Sequence, residues 1–216
     1  FDKDKASEVI HNYMDKIDNK GKPIVEEILE DENVNTKEEV FYTNIKVPKV
    51  AIGLKVPTSK LGDYEDITLD LYLQMFTTLT FGTSSLFRER LRNKKLINNI
   101  SSDWESISGF KNYLVIASSN DPDKFIAEFK KEIANIKIDE AAVNRMKKVW
   151  IANEVKLFDY VDSVASNVSD DLIRYGDIIP DKIDRIRKMN IDEINDIISK
   201  IDFDNICYIK CLGKES

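Results

Sequence analysis

The sequence predicts an α+β fold, with an antiparallel or mixed sheet and helices packed on one face. Three observations carry this. Apolar residues alternate with period two near both ends of the chain, which marks strands, and recur three and four apart between them, which marks helices. The resulting order of strand, strand, helix, helix, hairpin, helix, long helical region and final strand suits helices segregated onto one side of a sheet. No self-similarity at 20–50 residues and no low-complexity tract is present, so solenoid architectures are excluded.

Taken in order, Ala6, Val9, Ile10, Tyr13, Met14 and Ile17 are spaced as one helix face, with Gly21 and Pro23 as its stop. The acidic stretch from Glu26 to Glu39 reads as a solvated connector, which divides the chain into an extension over 1–37 and a domain over 38–216. Two strands open that domain, at Val40-Phe41-Tyr42 and at Val50, Ile52, Leu54 and Val56. Asp63 before Tyr64-Glu65-Asp66 is the expected N-cap of a helix whose apolar stripe is Leu69, Tyr72, Leu73, Phe76 and Leu79, closed by Gly82.

A second helix follows from the Ser84-Ser85 cap to Lys95. Turn signals at Ser108-Gly109 and Asn120-Asp121-Pro122 bracket Phe110, Tyr113, Leu114, Val115 and Ile116, predicting a hairpin whose second strand is buried on both faces. Phe125, Phe129, Ile133 and Ile136 form another helical stripe. The series Val143, Met146, Trp150, Leu157, Val161, Val164, Val168 and Leu172 then describes a long helical region. Pro180 in a first turn and Asn190 with Glu193 announce two more helices. Ile206 to Leu212 is the closing strand.

Composition narrows the function. The 216-residue chain is 33% charged and 42% hydrophobic, enough apolar material for a folded core. Its net charge of −7, with both signs interspersed, disfavours a nucleic-acid partner. No apolar run of membrane-spanning length and no secretory leader is present, so no membrane partner is expected. Cys207 and Cys211 lie four apart in a strand, roughly 13 Å at about 3.3 Å per residue, too far for a disulfide. Reduced thiols of a cytoplasmic protein are the expectation.

One histidine, His11, cannot build a histidine-based zinc site, and its surroundings do not form H-x-x-E-H in either direction. Asp15, Asp18, Glu26 and Glu27 are the nearest carboxylates and lack ligand periodicity, so no metal is expected on this chain. Neither G-x-S-x-G nor a glycine-rich phosphate loop occurs, and catalytic residues are expected to be absent. The local basic excess is Arg88, Arg90, Arg92, Lys94 and Lys95. It reads as a solvated helix face or, alternatively, as a face from which Arg92 points at substrate and donates two hydrogen bonds. Trp104 and Tyr113 read as core or hairpin packing.

Thr83-Ser84-Ser85-Leu86-Phe87 followed by Leu91-Arg92-Asn93-Lys94-Lys95-Leu96-Ile97 resembles the S-S-x-L-[FY]-x-x-L-R-x-K-x-G-L stretch of the pitrilysin/insulinase superfamily of zinc metallopeptidases. Asp121-Pro122-Asp123-Lys124-Phe125 is similar to the start of its next helix. Ile183 to Ile194 resembles a recurrent helix entry, and Ile206–Leu212 with Gly213 its last strand. The resemblance covers residues 38–213; the Leu96-Ile97-Asn98-Asn99 turn is most like bacterial members.

In that superfamily two homologous halves enclose a chamber, the first carrying H-x-x-E-H and zinc, the second silent. The resemblance therefore implies a second half: no cofactor here, zinc in the full-length protein, and an N-terminal half or paired homologous chain as partner. Residues from Phe1 to about 35 look like the inter-half linker. The implied ligand is a peptide, with Arg92, Asn98 and Asn99 as substrate-binding candidates. Asn98 or Asn99 stands where many members have tyrosine, and Lys95 departs from their glycine pattern. The alternative implied by the same resemblance is a non-catalytic scaffold or peptide-binding subunit. An apolar face left where the other half docks would favour dimerisation.

Overall fold

Strands β2 (Lys49–Pro57) and β4 (Phe110–Ser119) pair antiparallel at the centre of a five-stranded sheet in a computed structural model that describes residues 2–16, 30–107 and 109–214. The sheet order is β1 (Glu38–Thr43), β5 (Ile206–Gly213), β2, β4, β3 (Ile97–Ile107). Only β1 and β5 run parallel, so the sheet is mixed, as expected.

Alternation explains the core. Val50, Ile52, Leu54 and Val56 of β2, Tyr113, Val115 and Ala117 of β4, and Ile206 and Tyr208 of β5 are buried on one face. Against them lie α2 (Asp66–Phe81), α3 (Leu86–Asn93) and α4 (Pro122–Ile133), with α8 (Ile191–Ser199) beside α2. Phe81 is the hub, stacked on Tyr113 and Phe129 at ring-centroid separations of 5.7 and 5.0 Å and edge-on to Phe76 and Phe87.

Helix ends follow the sequence closely. Ser85 Oγ accepts from Arg88 N at 3.2 Å, Asp121 caps α4 ahead of Pro122, and Asn190 Oδ1 accepts from Glu193 N at 2.9 Å. Glu193 does not complete a capping box, because its carboxylate accepts the Tyr72 hydroxyl instead. Gly82 ends α2, and a Cβ there would drive into the Thr78 carbonyl oxygen.

Other expectations are corrected. The α2 N-cap position is Glu65, not Asp63, and no side chain caps it. Pro180 lies outside α7 (Lys182–Lys188), whose N-cap position is Asp181. Strand β4 is not buried on both faces: Leu114 and Ile116 are 38% and 45% exposed on the side away from the helices. The long helical region is two helices, α5 (Glu140–Leu157) and α6 (Val161–Tyr175), broken at Phe158-Asp159-Tyr160. Of the apolar series, Val143 is buried in the core with Met146 and Trp150 packed against it, whereas Val161 and Leu172 on α6 are 84% and 47% exposed.

Contacts divide the chain into units Phe1–Glu30 and Asp31–Ser216. The first contains α1 (Lys3–Met14), capped by Asp2 and without a buried residue; Gly21 and Pro23 fall outside the described residues. In the second, the solvated stretch is tied down before β1. Asn205 donates to the Glu32 and Lys55 carbonyls at 2.7 and 2.8 Å and accepts from Val34 N at 2.8 Å. Two bonds from one buried side chain, itself held on β2 by the third, anchor the largely exposed 31–37 segment.

Candidate functional site

Helix α3 ends by a backbone device that presents its basic residues. Leu96 N donates to Leu91 O at 3.0 Å and Lys95 N to Arg92 O at 2.9 Å, the double bond of a Schellman termination. That termination requires a left-handed residue, and Lys95 supplies it at φ 54°. Glycine adopts this conformation without steric cost, which explains why a lysine here departs from a glycine-containing pattern at some expense. The chain then enters β3 with a register shift between Ile97 and Asn99, leaving Asn98 as the extra residue.

The five basic residues divide into distinct roles. Arg88 is buried; its Nε donates to the Phe81 carbonyl at 2.9 Å, and burial lowers its pKa. Arg90 pairs with Glu132 and Lys94 with Glu128, joining α3 to α4. Lys94 holds the Glu128 carboxyl below its ordinary range through that hydrogen bond. Arg92 and Lys95 are exposed, and among the described residues no side-chain hydrogen bond or ion pair engages either cation. Asn98 Nδ2 donates to Asn120 Oδ1 at 3.1 Å, and Asn120 Nδ2 reaches the Lys95 carbonyl at 3.3 Å. Asn99 Oδ1 accepts from Ile100 N at 2.9 Å. Arg92 thus keeps its whole guanidinium fork available, while the two asparagines spend bonds on the corner itself.

A second polar region, missed by the sequence reading, lies between α2, the β3–β4 hairpin and α6. Lys111, 2% exposed, places Nζ 2.7 Å from Asp70 Oδ1, 3.3 Å from Asp66 Oδ1 and 2.8 Å from Ser106 Oγ. Tyr175 donates to Asp70 Oδ2 at 3.0 Å, and burial with the Asp70 charge raises its pKa. Trp104 Nε1 donates to Thr77 Oγ1 at 3.2 Å, and Trp104 stacks beside Tyr113, fulfilling its packing role. Cavities of about 210 and about 450 Å³ share Asp70, Asp103, Trp104, Arg174 and Tyr175 as lining. Lys111, held between two carboxylates, makes an internal ion pair that pins the hairpin to α2. A spaced Asp66-x-x-x-Asp70 pair on one helix face, facing a lysine at an inward position of β4, was its sequence signal.

Among the described residues no group of three or more His, Cys, Asp or Glu is placed to hold a metal ion. His11 sits exposed on α1 with Nδ1 2.8 Å from the Ser7 carbonyl, Asp15 follows that helix, and Asp18, Glu26 and Glu27 fall outside the described residues. These residues do not fit a zinc centre. Cys207 and Cys211 are free thiols. No helix among the described residues is long and apolar enough to cross a membrane.

A family profile described as the peptidase M16 inactive domain matches residues 1–149. The chain belongs to this family. Its fold agrees with several solved structures. An M16-like peptidase from Alicyclobacillus acidocaldarius superposes with a TM-score of 0.83 at 19% identity, covering 99% of this chain and 52% of that one. A protease from Helicobacter pylori gives 0.78 at 16% identity, covering 98% and 53%. A chain of complex III2 from Candida albicans gives 0.68 at 16% identity, covering 99% and 53%. This M16 chain therefore spans about half the length of these structural relatives. No curated protein matches it significantly.

Proposed function

We propose that this M16 inactive domain is the C-terminal, substrate-holding half of a zinc-dependent endopeptidase. In this reading a partner half, on the same polypeptide or a paired homologous chain, carries zinc and the catalytic groups. The present chain closes the chamber and binds peptide. Arg92 donates its two outward N–H groups to a peptide carbonyl or carboxylate, and Asn98 and Asn99 line the adjoining corner. The observation that carries the proposal is the exposed, unpaired Arg92 on a helix whose Arg88, Arg90 and Lys94 are engaged, within a chain matching the inactive-domain profile and spanning about half of the solved peptidase chains it resembles. Proteolysis by the relatives in full length supports an enzymatic context.

Binding without cleavage tests it. Fluorescence anisotropy with a labelled unfolded peptide is expected to show saturable binding by this chain, intact peptide afterwards, and roughly tenfold weaker binding for Arg92→Ala. Equal binding by wild type and Arg92→Ala removes Arg92 from the site; release of cleaved peptide by the purified chain rejects the inert-half assignment. The similarity to a complex III2 chain favours a second reading, a non-catalytic scaffold. A degenerate H-x-x-E-H in the partner half would select that reading over the first.

A further inference from the structure

The two edges of the sheet are built oppositely. β3 carries Ser101, Ser102, Asp103, Glu105 and Ser106 and a register shift near its start, features that blunt an edge against pairing. β1 carries Val40, Phe41 and Tyr42 in succession, exposed at 41%, 48% and 63%. It has no bulge and no proline, and among the described residues no strand pairs with its outer edge. An unprotected apolar edge is a template for another strand.

Backbone geometry fixes what β1 offers. Tyr208 N donates to Lys37 O at 2.8 Å and Lys214 N to Thr43 O at 3.0 Å, so the odd-numbered residues of this stretch direct their amides toward β5. The N–H and C=O groups of Glu38, Val40 and Tyr42 consequently point outward. We propose that β1 pairs antiparallel with β1 of a second copy of this chain, on a two-fold axis through Val40, making one continuous ten-stranded sheet.

That register pairs Glu38 with Tyr42 of the copy, Val40 with its equivalent, and Tyr42 with Glu38, using every outward amide of the strand. On the other face Glu39 meets Phe41. Charge selects this arrangement: both carboxylates lie at one end of β1, so a parallel partner would stack Glu38 and Glu39 on themselves, whereas the antiparallel copy sets them against uncharged residues. Glu38 also has Lys130 Nζ 3.7 Å away, which offsets its charge at the junction. An isologous contact of this kind closes as a dimer and leaves no new edge at the interface.

Sedimentation equilibrium of the whole chain over a micromolar to sub-millimolar range tests the pairing. A concentration-dependent dimer is expected. Val40→Pro removes an outward N–H that β5 does not use and should weaken the dimer roughly tenfold or more. Tyr42→Glu leaves the backbone intact, opposes two carboxylates at each end, and should weaken it as well, with circular dichroism unchanged. Leu114→Glu, on the exposed sheet face, should leave it unaltered. A monomer at every concentration overturns the proposal. So does a dimer that survives Val40→Pro and Tyr42→Glu, or one lost only with Leu114→Glu, which would place the interface on the sheet face.

Discussion

Helix α2, of 16 residues, and helices α5 and α6, of 18 and 15, are put to opposite uses. Ten residues of α2 are buried, from Ile67 to Phe81, whereas α5 buries Val143 and α6 buries Asp171. The difference lies in what each faces. α2 lies across β2 and β4 and contributes Phe76 and Phe81 to the aromatic centre, while the outward sides of α5 and α6 expose Val149, Val155, Val161 and Ile173. Stability therefore concentrates in α2, α3 and the sheet. The more exposed helical pair and the α3–β3 corner are surfaces on which interactions can be built at little cost to the fold.

Substitutions sharpen that contrast in descending order. Phe81→Ala removes the ring contacted by Phe76, Phe87, Tyr113 and Phe129 and should cost about 3–5 kcal/mol in denaturant unfolding. In thermal scans, raising the pH should erode stability. Burial raises the pKa of Tyr113 and of Tyr175, and pushes Tyr208 up to about 12. The unfolded chain loses these phenolic protons near the ordinary value of about 10, before the folded state does. The contribution is thus complete below about pH 10 and is lost as pH rises toward the folded-state values. Tyr175→Phe should flatten that decline.

Lys95→Gly relieves a left-handed lysine and should stabilise by about 0.5–1 kcal/mol, read as a raised denaturation midpoint. Ile173→Ser, at 82% exposure on α6, should change stability by no more than about 0.5 kcal/mol. A loss at Ile173 as large as that at Phe81 would break the comparison.

Much of this architecture was legible because burial and periodicity agree in β2, α2, α4 and β5. The reading weakened where they separate. Leu114 and Ile116 make β4 look two-sided, yet the helices occupy one side only, so apolarity alone did not report burial. β3 carries polar residues on both faces and gives little alternation to read, although it spans Ile97–Ile107. In α5–α6 the helical spacing holds throughout, but the apolar series meets the core only at Val143, Met146 and Trp150 and runs out to solvent at Val161 and Leu172. For the candidate site, sequence selected Arg92 by resemblance, and the structure leaves its cation exposed and unpaired among the described residues. The Lys111–Asp70–Tyr175 cluster escaped because it joins three elements far apart in the chain, and the Asp66-x-x-x-Asp70 spacing marks only its α2 side.

The central claim is an inert half that serves a zinc-bearing partner half. Hydrolysis of quenched fluorogenic peptides should be measured for the full-length reading frame, with and without a zinc chelator, beside this chain alone. The account predicts chelator-sensitive cleavage by the full-length protein and none by the isolated chain. Cleavage by the isolated chain, or no cleavage by zinc-loaded full-length protein, would contradict it.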